Sequence, residues 1–240
     1  MRRLLRSHEV CVNGKRVFSS GTLFDPEYDR LVIDGKNIFI PQELYIIMNK
    51  KKGTVCTSNS SDSYNIFESF PKEMLHPAGL GLLHSVGRLD MDTEGLLIFT
   101  TNGDFSHFIT SPESHFPKTY RILLENPADL ESQKIMKEKC LQGFFIPPEG
   151  REASFTCRSS ELIFEDEKNC FLTISEGKYH QVKRMIAILG NKVASLRRTA
   201  IGDLKEDENL PSGKWREMTD SELEILMSRK KINDNQVKKL

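Results

Sequence analysis

The 240-residue sequence lacks a cysteine framework, a histidine cluster and any long hydrophobic run, and each absence excludes a class of protein. Its five cysteines are an odd number without a Cys-x-x-Cys pair, which argues against a disulfide scaffold or a structural zinc site. Its six histidines have no metal-ligand spacing. No apolar run approaches the roughly 18 residues of a membrane span, and no N-terminal stretch resembles a signal peptide. We therefore expect a reduced, cytoplasmic protein.

An excess of either charge is also missing, because 34 basic side chains balance 34 acidic ones. The two signs are nevertheless segregated along the chain. Residues 1–20 hold five basic side chains against one acid, and residues 177–202 hold six against none. Segregated positive charge suits a polyanion, whereas the alternative is a solvated charged face. The basic residues are Arg2, Arg3, Arg6, Lys15 and Arg16, followed by Lys178, Lys183, Arg184, Lys192, Arg197 and Arg198.

The first forty residues read as a small separate unit. RRLLRSHEV is typical of the end of a short helix. CVNGKRV and DRLVIDGKNI each predict a hairpin, with Asn-Gly or Asp-Gly at the turn. Pro41 marks the end of this unit, which we assign to residues 1–40.

A larger unit is predicted over residues 44–230, followed by a polar tail at 231–240 that we expect to fray. Strands are indicated at LYIIMNK, LLIFTT, KTYRILLE, ELIFED, NCFLTIS and KVASLRRTAIG. Helices are indicated at DFSHFIT, at ADLESQKIMKEKCLQG, from Lys178 onward, and after a capping box of Thr219 and Glu222. Because regular strand–helix alternation is absent, we predict an α+β fold with a mostly antiparallel mixed sheet flanked by helices.

The stretch GRLDMDTEG, residues 87–95, places three carboxylates directly before the apolar run LLIFTT. Carboxylates beside a buried run are costly unless they are paired or used. Asp90 and Asp92 have the spacing of a DxD metal site, but no further ligand cluster stands nearby in the sequence. Paired carboxylates would also serve a glycosidase, although a neutral glycan gains little from the basic segments. The residues alone leave these alternatives open.

Several blocks, taken in order, resemble a known family. VGRLDMDTEGLLIFTTNG, SHFITSP, KTY and LTISEGKYHQVKRMIAILGN look like the pseudouridine synthases that modify ribosomal RNA. The combination of SHFITSP, KTY and YHQVKRM is most similar to the branch that acts on a uridine of small-subunit (16S) rRNA. The matching blocks extend from about residue 44 to residue 218. Residues 1–40 resemble part of an S4 RNA-binding domain, whose opening helix has no counterpart here.

The resemblance assigns the motif GRLDMDTEG to catalysis. It implies that Asp90 is the catalytic residue that helps to break the bond between uracil N1 and ribose C1′ before the base rejoins through C5. Whether the carboxylate attacks the sugar, attacks the base or takes a sugar proton stays open. Tyr120 should stack on the flipped uracil, and Lys183 should pair with Asp90 and keep it ionised. Because the product is an isomer, the resemblance implies no cofactor and no metal.

Further roles follow from matching positions. Arg88 should contact RNA near the vacated base or brace its loop, and Leu172 or Ile174 should wall the pocket. NKKKG departs from the family pattern, which has a proline after Asn-Lys, and predicts a local change of loop. Phosphate contacts are predicted for Arg2, Arg3, Arg6, Lys15 and Arg16 in the S4-like unit and for Lys178, Arg184, Lys192, Arg197 and Arg198 beside the pocket.

The resemblance therefore predicts a monomeric rRNA uridine isomerase that binds small-subunit rRNA or a ribosome assembly intermediate, and no membrane. The nearest alternative is the same reaction on large-subunit rRNA. A different class is a non-catalytic rRNA-binding protein, since the partial S4 unit would suit a degenerate member. Intact Asp90, Tyr120 and Lys183 argue against degeneracy.

Overall fold

The computed structural model describes residues 4–25, 29–38, 43–57, 64–76, 80–150 and 152–237 of the chain. The first part contains one short helix, α1 (Leu4–Ser7), and four short strands. The strands are β1 (Val10–Val12), β2 (Lys15–Arg16), β3 (Leu31–Ile33) and β4 (Lys36–Ile38).

The two hairpins predicted in the first part are confirmed. They pair β1 with β2 and β3 with β4, in a sheet of order β2-β1-β3-β4. Asn13 and Gly14 both have positive φ, 52° and 76°, as a tight hairpin turn requires. Among the described residues up to 38, Val10 is the one that reaches the buried class. So small a core can contribute little stability of its own.

The rest of the chain supplies the remaining elements. The helices are α2 (Lys72–Leu75), α3 (Gly103–Thr110), α4 (Leu130–Gln142), α5 (Gln181–Ile188) and α6 (Asp220–Val237). The strands are β5 (Tyr45–Lys50), β6 (His84–Ser85), β7 (Thr93–Thr100), β8 (Lys118–Leu124), β9 (Phe145–Ile146), β10 (Phe155–Thr156), β11 (Glu161–Phe164), β12 (Asn169–Ile174), β13 (Val193–Ile201), β14 (Leu204–Lys205) and β15 (Trp215–Glu217).

A nine-stranded mixed sheet organises this larger part. Its strand order is β11-β12-β8-β13-β7-β5-β15, with β14 on β13 and β6 on β7. The pair β7–β13 is parallel, and the other pairs of this sheet are antiparallel. β9 and β10 form a separate antiparallel pair. The predicted α+β fold class, with its mostly antiparallel sheet, is confirmed.

Both faces of the sheet are covered, which explains the apolar run LLIFTT. Leu97 and Phe99 of β7 pack in one core with Met185 and Ile186 of α5. The alternate residues of β7 face the second core, which includes Phe105 of α3 and Leu226 of α6. Successive side chains of a strand point to opposite faces, so a strand buried on both sides reads as a continuous hydrophobic run.

Three element boundaries differ from the sequence predictions. β7 begins at Thr93, inside the GRLDMDTEG motif, so that the motif is part loop and part strand. α5 begins at Gln181 instead of Lys178, because His180 takes a left-handed backbone conformation with φ 48°. The backbone of α6 continues to Val237, into the segment that we expected to fray.

The capping box at the start of α6 is confirmed. The backbone N of Thr219 donates to Glu222 Oε2 at 2.9 Å. The backbone N of Glu222 donates in turn to Thr219 Oγ1 at 3.3 Å. This reciprocal pair satisfies two amides that the first turn of a helix would otherwise leave without partners.

Gly95 is required by the close approach of β7 to β13. Its φ is 100°, and a Cβ there would lie 2.3 Å from the carbonyl O of Arg198. Gly190 has a similar φ of 86° but has no atom within 4 Å of the corresponding Cβ position. The two positions therefore separate backbone strain from overpacking.

We predict that Gly95→Ala lowers the free energy of unfolding by about 2–4 kcal/mol, since strain and overpacking add. The matched variant Gly190→Ala should lose about 1 kcal/mol, because it carries the backbone strain alone. Chemical denaturation of the two variants measures both losses. Equal losses would contradict the close approach seen at Gly95.

Candidate active site

The loop that carries Asp90 is held by hydrogen bonds from a buried lysine. Lys50, the last residue of β5, has a relative exposure of 0%. Its Nζ donates to the carbonyl O of Thr93 at 2.8 Å and to that of Asp90 at 3.0 Å. The carbonyl O of Met91 and that of Lys51 lie at 3.4 and 3.3 Å from the same nitrogen. One ammonium group therefore gathers the backbone carbonyls of Asp90 and of the following residues Met91 and Thr93.

Burial lowers the pKa of Lys50, and the nearby negative groups, which include Asp90, oppose only part of this effect. Backbone carbonyls thus supply the polar environment that a buried ammonium needs. Lys50 was not among the site residues predicted from the sequence. The available signal was a lysine at the end of YIIMNK, a strand that begins with four apolar residues.

The carboxylate of Asp90 is paired with the ammonium of Lys183, as predicted. Lys183 Nζ lies 2.8 Å from Asp90 Oδ2 and 2.5 Å from Asp92 Oδ1, so one lysine bridges both carboxylates of the Asp-Met-Asp sequence. The side chains of Asp90 and Lys183 are 30% and 23% exposed. Asp90 is therefore half-buried in the lining of a cleft, within reach of a ligand.

The shared lysine favours the ionised forms. Burial alone would lower the pKa of Lys183, but its hydrogen bonds to the two carboxylates outweigh burial and raise that pKa. For Asp92, burial would raise the pKa, but the hydrogen bond and charge of Lys183 lower it. The cluster thus holds an ammonium and a carboxylate in their charged states at neutral pH.

A histidine that the sequence analysis did not single out also faces Asp90. His180 Nε2 lies 3.7 Å from Asp90 Oδ1. The imidazole stacks on the ring of Tyr179, with ring centroids 3.7 Å apart and planes 23° apart. The residue's φ of 48° ends the preceding loop and turns the chain into α5. No spacing rule marks such a histidine in the sequence.

A cleft opens beside Asp90 and brings most of the predicted substrate residues together. Tyr120, which is 8% exposed, lies in its wall, as do Arg88 and Ile174. Leu172 does not line this cleft, so its predicted wall position is corrected: it is fully buried and is the cross-strand partner of Tyr120. The remaining lining residues include the apolar side chains Leu89, Val182 and Leu196.

The predicted phosphate-binding residues divide into exposed and internal groups. Arg2 and Arg3 lie outside the described residues. The exposed group is Arg6, Lys15, Arg16, Lys178 and Lys192, and Lys178 lies on the rim of the cleft. The other three predicted phosphate ligands are arginines of α5 and β13.

Two of these arginines are committed within the protein, which corrects their prediction as exposed phosphate ligands. Arg184 is 7% exposed, and its Nη2 donates to the carbonyl O of Pro147 at 2.5 Å. Arg197 donates from Nε to Glu206 at 2.8 Å and from Nη2 to Asn49 Oδ1 at 3.1 Å. The guanidinium groups of Arg184 and Arg197 thus donate hydrogen bonds to groups of the protein itself.

Arg198 is also internal rather than superficial. It is 2% exposed, and its Nε donates to the carbonyl O of Leu96 at 2.8 Å. Its Nη2 is buried and has no hydrogen-bond partner within the described structure. A buried donor without a partner is costly and calls for an explanation.

Comparison with known proteins agrees with this fold. The family model for RNA pseudouridylate synthase matches residues 44–188, and the chain belongs to this family. A crystal structure of a pseudouridylate synthase superposes with a TM-score of 0.67 at 38% identity, covering 94% of this chain and 91% of that chain. The enzyme class predicted from the sequence, a pseudouridine synthase and therefore an isomerase, is confirmed.

Curated relatives point to one branch of the family. The ribosomal small subunit pseudouridine synthase A of Haemophilus influenzae is 37% identical over 94% of this chain and 91% of the relative. The protein of the same name from Vibrio parahaemolyticus is 39% identical over 92% and 90%. The resemblance to the small-subunit branch is confirmed. Within the described residues, no helix has both the length and the apolar character to cross a membrane.

The role of Lys50 can be tested by Lys50→Met, which keeps the length of the side chain and removes its donors. We predict that the free energy of unfolding falls by about 2–4 kcal/mol, because carbonyls of the Asp90 loop lose a buried partner. Hydrogen exchange of the amides between Arg88 and Thr93 should accelerate. The control is Lys52→Met at an exposed neighbouring lysine. Indistinguishable exchange in the two variants would contradict a bracing role for Lys50.

Proposed function

We propose that this protein isomerises a specific uridine of small-subunit rRNA to pseudouridine, with Asp90 as the catalytic carboxylate and with the uridine flipped out of its RNA strand. The single observation that carries the proposal is the lysine-paired carboxylate of Asp90 in a cleft that also contains Tyr120. The relatives named for small-subunit rRNA support the choice of substrate.

The geometry suits the chemistry of glycosidic bond cleavage. When the bond between C1′ and N1 breaks, its electron pair leaves with uracil and positive charge develops on the ribose. A fixed carboxylate stabilises that charge most strongly where water is excluded. The detached base then turns and forms the C1′–C5 bond, C5 releases its proton, and N1 gains one. Atoms and electrons balance without a redox partner or group donor.

Tyr120 fits the part of an aromatic support for the flipped base. It is mostly buried, so that its ring has a fixed position, and it lies in the same cleft wall as Asp90. Extruded bases are commonly held by stacking on such rings. Ile174 and Val182 border the cleft and would exclude water from the broken bond.

Lys183 acts through Asp90 in this proposal. Its ammonium pairs with the carboxylate and directs it, while Asp92 shares the same nitrogen. Arg88 is exposed and lines the cleft, where it would contact the RNA backbone next to the extruded uridine. A monomer acting on rRNA or an assembly intermediate in the cytoplasm is the simplest form of the proposal.

Asp90→Asn tests the catalytic assignment against a matched neighbour. The amide keeps the shape but removes the charge, so we expect pseudouridine formation to fall by a factor of about 10³ or more. Asp92→Asn should stay within about tenfold of the original activity, because Asp92 is 55% exposed and forms a surface ion pair. Pseudouridine in rRNA transcripts is measured by mass spectrometry after chemical labelling.

RNA affinity should change little in either variant, since the phosphate contacts are elsewhere. Near-normal product from Asp90→Asn would overturn the assignment of the catalytic residue. RNA binding by the unaltered protein without any pseudouridine in small-subunit rRNA would favour the non-catalytic alternative. Pseudouridine found in large-subunit rRNA instead would favour the alternative that the protein is a large-subunit rRNA pseudouridine synthase.

The exposed basic residues predict a salt-dependent affinity. Each phosphate contact releases counterions, so the logarithm of the RNA affinity should fall linearly with the logarithm of the salt concentration. Lys178→Gln should reduce the slope by about one, since this residue lies at the cleft. Lys134→Gln, at an exposed position of α4, should leave the slope unchanged. Equal slopes for all three proteins would remove Lys178 from the interface.

A further inference from the structure

A second cavity lies directly beside the cleft of Asp90. Its volume is about 250 Å³, and it shares Arg88, Tyr120 and Lys178 with the cleft. Its other lining residues include Lys118 of β8 and Arg198 of β13. Nothing in the proposed chemistry at Asp90 uses these two cations.

The cavity combines strong positive charge with little negative charge. Among the described residues that line it are five cations and one carboxylate, that of Glu176. This carboxylate already accepts from Gln181 Nε2 at 2.6 Å and lies 3.6 Å from Arg158 Nε. It therefore does not neutralise Lys118 or Arg198. The five cations are Arg88, Lys118, Arg158, Lys178 and Arg198.

The two inner cations of the cavity are incompletely satisfied. Arg198 has a buried Nη2 without a hydrogen-bond partner. The Nζ of Lys118 donates to the carbonyl O of Phe116 at 2.8 Å. Burial lowers the pKa of Lys118 to about 8, and the charge of Arg198 acts in the same direction. Two cations that oppose each other in a buried site would both be stabilised by an anion.

The backbone of β13 has a β-bulge next to Arg198. Arg198 is opposite Tyr120 of β8, but Ala200 is opposite Thr119, so Thr199 is an extra residue in β13. A bulge of this kind changes the direction of neighbouring side chains and is frequent next to active sites. The bulge lies where Arg198 pairs with Tyr120, the aromatic residue proposed to hold the base.

We propose that this cavity is a phosphate subsite, in which Arg198 and Lys118 bind the RNA phosphodiester adjacent to the extruded uridine. The binding of a phosphate oxyanion follows from the cavity itself, whereas the choice of an RNA phosphate rests on the proposed function. A phosphate here would fix the sugar of the flipped nucleotide relative to Asp90. Charge-assisted hydrogen bonds from guanidinium and ammonium groups are the usual means of holding phosphate.

The first test uses small anions on the full chain. Dimethyl phosphate, a diester, and inorganic phosphate are titrated separately at constant ionic strength, and the arginine Nε–H signals are followed by ¹H–¹⁵N NMR. We expect a saturable shift of the Arg198 signal, which Arg198→Lys identifies by its loss. Lys118→Met should weaken binding of dimethyl phosphate by about tenfold. Lys134→Gln serves as the matched control, with unchanged binding.

The outcomes of this titration decide the proposal. No saturable shift, or binding that is unaffected by Lys118→Met, would overturn the subsite. Binding of inorganic phosphate without binding of dimethyl phosphate would assign the cavity to free phosphate and overturn its RNA role. Because Lys118 is less buried than Arg198, its variant preserves the test if Arg198→Lys does not fold.

The second test uses RNA with one uncharged methylphosphonate next to the modified uridine, once this uridine has been mapped. The substitution should weaken binding to the original protein by about tenfold but should add little to the defect of Lys118→Met. Additive defects would place the phosphate elsewhere. Asp90→Asn should bind dimethyl phosphate normally. If the protein proved not to be an isomerase, the titration with dimethyl phosphate would still test the anion site. If the subsite proved wrong, pseudouridine formation would still test the proposed function.

Discussion

The buried ammonium of Lys50 is the constraint on which the reactive side of the molecule depends. It holds the backbone of Asp90 and Thr93 against the end of β5, so the loop and the start of β7 share one fixed reference. Gly95 then lets β7 approach β13 closely enough to form the parallel pair. The catalytic role proposed for Asp90 would need this precision, because small displacements of a reacting group cost much of its rate advantage.

The charges around Asp90 follow from this placement. Two carboxylates, Asp90 and Asp92, share the single ammonium of Lys183, so the three groups together carry one negative charge. In the proposed reaction, that surplus would stabilise positive charge developing on the ribose, whereas a fully neutralised pair would offer less. His180 Nε2 lies 3.7 Å from Oδ1 of the same Asp90 carboxylate.

Sequence reasoning predicted the hairpins, most helices and the pairing of Asp90 with Lys183, because periodicity, turn residues and the family resemblance each carry that information. It missed Lys50 and His180, whose roles come from contacts across the fold that no local pattern encodes. It also counted Arg184 and Arg197 as exposed cations. A count of charges along the chain does not reveal that these two guanidinium groups have partners within the protein. Arg184 of α5 contacts Pro147 and Glu149, and Arg197 of β13 contacts Glu206 and Asn49.

The same distinction explains how a chain of zero net charge can recognise a polyanion. Cations bonded to carboxylates, such as Lys183, organise the protein and attract phosphate only weakly. Cations without an acidic partner keep their attraction, and the cavity around Lys118 and Arg198 concentrates two of them beside Tyr120. In a partly buried site this attraction is screened less than at the surface, which favours the proposed phosphate subsite over an exposed one. Arg198 is internal rather than superficial, and it would orient a nucleotide toward Asp90 if the proposed phosphate subsite is correct.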